Sequence, residues 1–399
     1  MQWTVAQIGA REHYAVPRAL FLENKLRRLY TDLWCRHGSS ILKRGPHAFR
    51  SFAGRHHPGL PSKLVTGFSV AAMLRRRDQS SRTGFEEYAD EGKWFALRVR
   101  DHLARECLDP SRDAFFGFFT GCLETLEYLA PRGIITMVDQ ADAARVHYEI
   151  TTAEVRRWPG WQEMPPVVPD FYFDRLSAEW RLATRVLVNS EWSRDALVRQ
   201  QVPIEKIVVV PLAWEGHAVA PREPRTNHPL TVLWVGNVNL TKGIQYLIEA
   251  AKLLLETDIR FVVAGRLGIS KDAINTAPAN ITFLGAVSRD RVGDLYRNAD
   301  IFVLPTLSDG FALTQLEAMS YGVPVITTPN CGRVVSHEVD GLIIPAANGQ
   351  ALAQAIARLD SDRSLLNDMV RRVPSKCTEF SLANYASRVE AAAAEVRNS

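Results

Sequence analysis

The chain lacks any apolar run approaching the roughly 18 residues that a membrane-crossing helix needs, so a transmembrane protein is not expected. Its five cysteines (Cys35, Cys107, Cys122, Cys331 and Cys377) are odd in number, scattered, and form no CxxC pair. That argues against a disulfide framework and against a cysteine zinc site, and it suits a reducing cytoplasm. There is no HExxH and no His/Cys cluster. The single D-x-D triplet, Asp360-Ser361-Asp362, falls between helix-like stretches, where Ser361 or Asp362 serves as a helix cap. No metal and no organic cofactor is therefore expected. The opening residues read as a short strand without a basic lead or a small-residue cleavage site, so no signal peptide is expected. Internal repeats, low-complexity tracts and nucleic-acid-reading motifs are also missing, and nucleic acid is not an expected partner.

What is present describes a globular chain of 399 residues, 46% apolar and 23% charged, long enough for two cores. Charge is unevenly spread. Residues 1–77 hold fourteen Lys/Arg against Glu12, Glu23 and Asp32, a surplus of eleven; the whole chain carries +4, so the rest carries a deficit of seven. A basic lobe attracts an anionic membrane surface, a phosphorylated acceptor or nucleic acid; it is equally the pattern of a solvated basic face. Ala71-Ala72-Met73-Leu74-Arg75-Arg76-Arg77 puts three arginines after an apolar run, compatible with peripheral docking on anionic lipid.

Residues 230–345 repeat one grammar: a short β-branched run, a glycine-bearing loop, an amphipathic stretch. The runs are 230–235, 259–264, 281–284, 301–304, 323–326 and 342–344. Strands alternating with helices predict a parallel, doubly wound α/β domain that binds ligands at the carboxyl ends of its strands. Upstream, residues 3–8, 134–138, 185–189 and 207–211 read as buried strands, and 23–116 as a mostly helical or irregular, Arg-rich insertion. The predicted division is an N-terminal Rossmann-like domain over 1–213, a second over 230–380, and a terminal helical segment over 381–399. Pro221, Pro224 and Pro229 punctuate the linker.

Three segments carry candidate chemistry. The first is Val235-Gly236-Asn237-Val238-Asn239-Leu240-Thr241-Lys242-Gly243, a strand, a turn and a helix start with a lysine. Helix-end amides and an ammonium favour a phosphate; by itself this is also how an ordinary turn with a surface lysine reads. The second is Ala264-Gly265-Arg266-Leu267-Gly268, where Arg266 can reach a phosphate, or where the chain simply turns. The third runs Ser308-Asp309-Gly310-Phe311-Ala312-Leu313-Thr314-Gln315-Leu316-Glu317-Ala318-Met319. It places one carboxylate in a loop and another one turn into a helix, beside the free amides of the first turn. Thr314-Gln315-Leu316-Glu317 also fits a capping box, in which Glu317 would only satisfy the helix start.

This third segment, with the first, resembles retaining glycosyltransferases of family 4, which have the GT-B fold: two Rossmann-like domains facing a cleft, with a C-terminal helix crossing back. Phe283-Leu284-Gly285, Leu295-Tyr296 through Asp300, and Asn189-Ser190-Glu191-Trp192-Ser193 agree in order, and the likeness covers roughly residues 186–357. The resemblance implies a nucleotide diphosphate sugar as donor and a glycan, lipid-linked or small-molecule acceptor. By that resemblance Gly236, Asn237, Lys242, Arg266, Val287, Gly310, Phe311, Ala312, Leu313, Thr314 and Glu317 bind the donor; Lys242 neutralises its diphosphate, Glu317 takes the ribose, and Asp309 contacts the sugar. It also implies a polysaccharide-building hexosyltransferase needing no protein nucleophile. A non-catalytic sugar-nucleotide binder and an epimerase are the alternatives.

Three departures stand out: Asn237 where the family has arginine, Asp309 where it has glutamate, and Ala312 where it has glycine. The family's N-terminal histidine has no clear counterpart. Asp139 or Asp142 takes its place, or these are polar loop caps, while His147 lies further on. Gly9 and His13, in the first strand-loop, are candidate acceptor contacts.

Overall fold

The computed structural model describes residues 1–35, 55–78, 84–216 and 228–398. The N-terminal half contains β1 (Gln2–Gln7), α1 (Ala15–Leu22), β2 (Leu26–Thr31), β3 (Val65–Gly67), α2 (Ser69–Asp78), α3 (Gly84–Leu103), β4 (Asp113–Phe118), α4 (Leu123–Leu129), β5 (Ile135–Gln140), α5 (Arg145–Arg157), α6 (Asp170–Leu182), β6 (Arg185–Val188), α7 (Glu191–Arg199) and β7 (Ile207–Val209). Its seven strands run in the order β3-β2-β1-β4-β5-β6-β7, all pairs parallel.

The C-terminal half contains β8 (Leu230–Val235), α8 (Ile244–Leu253), β9 (Ile259–Ala264), α9 (Lys271–Asn275), β10 (Ile281–Gly285), α10 (Arg289–Asn298), β11 (Ile301–Leu304), α11 (Thr314–Ser320), β12 (Val325–Thr327), β13 (Gly341–Ile343), α12 (Gly349–Ser361), α13 (Arg363–Lys376) and α14 (Leu382–Asn398). Its six strands are ordered β10-β9-β8-β11-β12-β13, again parallel. The inner strands of each sheet are mostly buried, which is why most of them read as continuous apolar runs.

The six C-terminal runs are the six strands, with ends shifted by a residue or two. In the N-terminal half, three strands that the sequence reading missed begin within residues 23–116. In β2, Arg27 and Arg28 interrupt the apolar pattern. Arg27 nevertheless stays half-buried because Glu106 and Asp113 pair with it at 2.8 and 2.7 Å, and Arg28 bonds Thr66 at 3.1 Å. Ion pairing hides a strand from a hydrophobicity pattern. β4 is buried along its whole length between β1 and β5.

Two elements tie the halves together. The terminal helix α14 crosses back: Tyr385, Ala386, Val389, Ala392 and Ala393 join the N-terminal core beside α1, and Trp3 donates to Glu390. The second tie, α5, was not foreseen. Val155 joins the C-terminal core with Trp158 and Trp161 packed against it. Glu154 accepts from Gln245 and Tyr246 at 3.0 Å each, Thr151 meets Thr241 at 2.9 Å, and Gln162 accepts from the Leu240 amide at 2.9 Å.

Among the described residues, several of the N-terminal basic groups are paired internally. Arg18 pairs with Glu215, Lys25 with Glu390 at 2.9 Å and Arg55 with Asp32 at 3.3 Å. Arg75 donates to the Asp90 carbonyl at 3.1 Å and lies over Trp94. Arg36, Lys43, Arg44 and Arg50 lie outside the described residues, as do the side chains of Arg76 and Arg77. No helix among the described residues is long and apolar enough to cross a membrane.

Candidate active site in the cleft

The site is built at the carboxyl end of the second sheet. After β8 the chain turns at Gly236 and makes a 3-10 turn over Leu240–Lys242, capped by Asn239, whose side-chain oxygen accepts from the Lys242 amide at 2.9 Å. Gly243 follows at φ 80°; a Cβ there would lie 1.9 Å from the Pro305 carbonyl oxygen, so only glycine fits. The Thr241 carbonyl accepts from the Leu307 amide at 2.8 Å, which locks the lysine loop to the loop after β11. This contact brings Lys242 and Asp309 together as an ion pair.

Asp309 is held on both sides. Its amide donates to Asn330 at 2.9 Å, and its carboxylate accepts from Phe311 N–H at 3.3 Å. Gly310 presses against the N-terminal domain. The Phe311 side chain, counted in sequence among the donor contacts, points instead into the C-terminal core against Phe380. Ala312 adopts φ 64°, the left-handed region; the glycine usual in the family would sit there without the Cβ strain that alanine carries. Leu313 then caps α11, and helix bonding begins with Gln315 N–H to Ala312 O at 3.1 Å. The Leu313 and Thr314 amides stand at the start of α11, where the first N–H groups have no intrahelical partner.

The capping-box alternative for Glu317 is not realised. Thr314 lies inside the helix, no side chain caps α11, and Glu317 accepts from the Tyr296 hydroxyl at 3.1 Å. Tyr296 is buried and stacks on Tyr321 at 5.5 Å. Burial, and then the Glu317 charge, push its hydroxyl well above the usual phenol range, so it stays a donor. Glu317 is thereby fixed in direction, one turn from the helix start.

The other donor candidates scatter more widely. Asn237 and Arg266 are exposed, and the Arg266 carbonyl accepts from Val238 N–H at 2.9 Å. Val287 lines a cavity of about 540 Å³ with Leu284, Ser288, Arg291 and Leu295.

From the N-terminal domain, His147 on the first turn of α5 reaches across: its Nδ1 lies 3.1 Å from Ser308 Oγ, which also accepts from Trp192 Nε1 at 3.3 Å. Burial lowers the His147 pKa most. Asp142 and Asp309 oppose that shift, while Lys242 adds to it. The imidazole is therefore neutral at pH 7 and stands among the charges that would meet a donor sugar. It was hard to find in sequence because it follows β5 by a loop and a helical turn, with Ala144 in an unusual conformation (φ 48°, ψ −129°) redirecting the chain. The charged neighbours of Asp139 are Arg11 and Asp142, the latter shared with His147, and it faces Glu12. His13 lies at the domain opening, with Nε2 3.1 Å from Arg289, and the Gly9 amide donates to Asp32 at 2.8 Å. Among the described residues no group of three or more His, Cys, Asp or Glu gathers as a metal site would.

Two parallel α/β domains, a helix crossing back and a site at the sheet edges between them define the GT-B fold. Matching solved structures include sucrose-phosphate synthase from Thermosynechococcus elongatus (TM-score 0.66, 15% identity, all of both chains). HepE of Anabaena, solved with UDP, matches at TM-score 0.62 and 12% identity over 99% of this chain and 100% of that one. In sequence, residues 229–362 match the family described as Glycosyl transferases group 1. An uncharacterised glycosyltransferase of Methanocaldococcus jannaschii is 33% identical over 33% of this chain and 36% of its own length. The O-antigen chain mannosyltransferase B of Escherichia coli is 30% identical over 51% of this chain and 58% of its own. The matches thus span between about a third and three-fifths of these curated relatives. The chain resembles the family 4 glycosyltransferases and shares their fold.

Proposed function

We propose that this protein is a retaining glycosyltransferase that moves a hexose from a nucleoside diphosphate sugar to a glycan, lipid-linked or small-molecule acceptor. The observation that carries the reading is the pairing of Lys242 with Asp309 at the opening of α11, facing His147 across the cleft. A diphosphate at that helix end takes the ammonium and the Leu313 and Thr314 amides, and so releases the Asp309 carboxylate toward the donor sugar's hydroxyls. Glu317, aimed by Tyr296, receives the ribose hydroxyls. HepE, which has the same fold, was solved with UDP and with UDP-glucose, which supports a nucleoside diphosphate donor.

Chemistry then follows from placement. The leaving diphosphate oxygen takes the acceptor proton on the face it departs from, and Lys242 with the helix-end amides stabilises the charge developing there. No protein nucleophile and no metal enters this scheme. Neutral His147 holds the sugar as a hydrogen-bond partner without adding a charge. Among the relatives are enzymes named for O-antigen and amylovoran biosynthesis, which favours polysaccharide assembly at the inner membrane face, with the protein cytoplasmic and peripheral.

The test is a thermal-shift panel of UDP-, GDP- and ADP-sugars followed by donor hydrolysis. The true donor, at a hundred times its Kd, stabilises the fold by about 2.7 kcal/mol. Lys242→Ala and Glu317→Ala each diminish both the shift and the hydrolysis. Absence of any nucleotide-dependent shift, or a shift unchanged in Lys242→Ala, overturns the reading.

A further inference from the structure

The N-terminal sheet edge carries a second polar cluster that the donor site does not use. In β4, Phe118 pairs with Asp139 of β5, and one step beyond the Ala6–Gly117 pair its other neighbour is Gln7 of β1. Side chains alternate along a strand. Trp3, Val5, Phe116, Phe118 and Met137 all belong to the core under α1 and α14, so Gln7 and Asp139 point to that same face. Glu12 covers the row from the loop above. Tyr385 of α14 lies near both carboxyls, and Arg11 lies over Phe118 and Phe119 at 5.5 and 4.5 Å.

Two of these groups are buried without satisfaction, and Asp139 beside Glu12 is only 4% exposed. Glu12 Oε2 and Gln7 Oε1 are buried with no partner, although Gln7 Nε2 donates to the Gly9 carbonyl at 2.8 Å, which fixes the direction of the amide. Buried polar groups ordinarily find partners, and these two orphans next to a buried carboxyl point to a polar guest. The covering loop is also strained. Glu12, His13 and Tyr14 take consecutive left-handed φ values of 50°, 52° and 63°. Such outliers persist only where the surroundings enforce them, and they gather at binding sites.

We propose that Gln7, Glu12 and Asp139 form a hydroxyl-binding subsite for a neutral polyol head, a sugar or cyclitol ring, and that the acceptor is held there. Two carboxyls and an amide oxygen accept from hydroxyl groups, and they repel a phosphate. Burial raises both carboxyls, and Asp139 raises Glu12 further while Arg11 opposes. One of the pair therefore keeps a proton near neutrality and can also donate to a hydroxyl oxygen. The inference rests on the glycosyltransferase reading only in naming the guest an acceptor.

Saturation-transfer NMR on the full chain, with myo-inositol and D-glucose as probes and inorganic phosphate as the control, tests it. At least one polyol binds the wild type, and phosphate neither binds at this subsite nor competes. Glu12→Gln and Asp139→Asn each weaken polyol binding roughly tenfold or more, while nucleotide binding at the donor site is unchanged. If a variant fails to fold, carbodiimide labelling of the wild type read by mass spectrometry gives the same answer: the polyol protects Glu12 and Asp139. A wild type that binds neither polyol, variants that bind it unchanged, or labelling without protection overturns the subsite. Loss of nucleotide binding in the wild type counts against the donor reading instead, because polyol binding is read independently.

Discussion

Gly310 offers a perturbation that separates activity from folding. A Cβ added there would lie 1.9 Å from the Ala141 carbonyl oxygen and 3.0 Å from Asn189 Nδ2. A carbon meets a carbonyl oxygen at about 3.3 Å, so in Gly310→Ala the two loops must separate by about 1.4 Å. The obstacle is backbone, fixed by the Asn189 side chain donating to Ala141 O at 2.8 Å, and it cannot swing aside as a flexible side chain would. The two loops belong to different domains with separate cores. The strain therefore opens the cleft rather than unfolding either half. A displacement near 1 Å between reacting groups costs on the order of 100-fold in rate, so kcat/KM for donor turnover should fall roughly 100-fold, about 2.7 kcal/mol. Stability should change by less than about 1 kcal/mol, moving Tm by less than about 4 °C. Steady-state kinetics and scanning calorimetry on the same preparation give both numbers. Wild-type kcat/KM in Gly310→Ala, or a large drop in Tm with full activity of the folded fraction, refutes this account of the closed cleft.

Gly243→Ala is the contrasting case. Its clash with Pro305 O lies within one domain, on a residue at φ 80°, so it should cost more than about 2 kcal/mol of stability by denaturant melts. Lys242→Ala should weaken UDP or GDP by roughly 10- to 150-fold in calorimetric titration, the loss of one charge-assisted contact, with little effect on Tm. The Glu12–Asp139 pair predicts a pH dependence. Arg11, Asp142 and Tyr385 are the charged or titratable groups facing it. A carboxyl raised in the folded state contributes stability that is full below its ordinary value of 4.5 and is lost as pH climbs through about 8. The advantage of wild type over Glu12→Gln should therefore be greatest near pH 5 and shrink toward pH 8, with a slope of up to about 1.4 kcal/mol per pH unit for each proton linked. A gap that is constant or widens with pH contradicts the raised carboxyl.

What the sequence alone determined is concentrated in the C-terminal half. Its strands are short, its inner strands are mostly buried, and glycine loops separate them, so local pattern and tertiary role coincide there. Lys242, Asp309 and Glu317 could be singled out because each sits next to a strand end or helix start that is itself readable. The tertiary structure decided the rest. Arg27 and Arg28 disguise β2, because partners distant in sequence neutralise them. Glu317 could be an N-cap residue or a directed carboxylate by local spacing, and only the Tyr296 hydroxyl, 21 residues earlier, distinguishes the two. His147 reaches the donor loop because α5 docks on the other domain, and Asp139 meets Glu12 because β5 ends beneath the loop after β1. Short-range pattern records which groups neighbour one another along the chain; which charges share a cleft depends on how two sheets are set face to face, and that information is spread over contacts no local window contains.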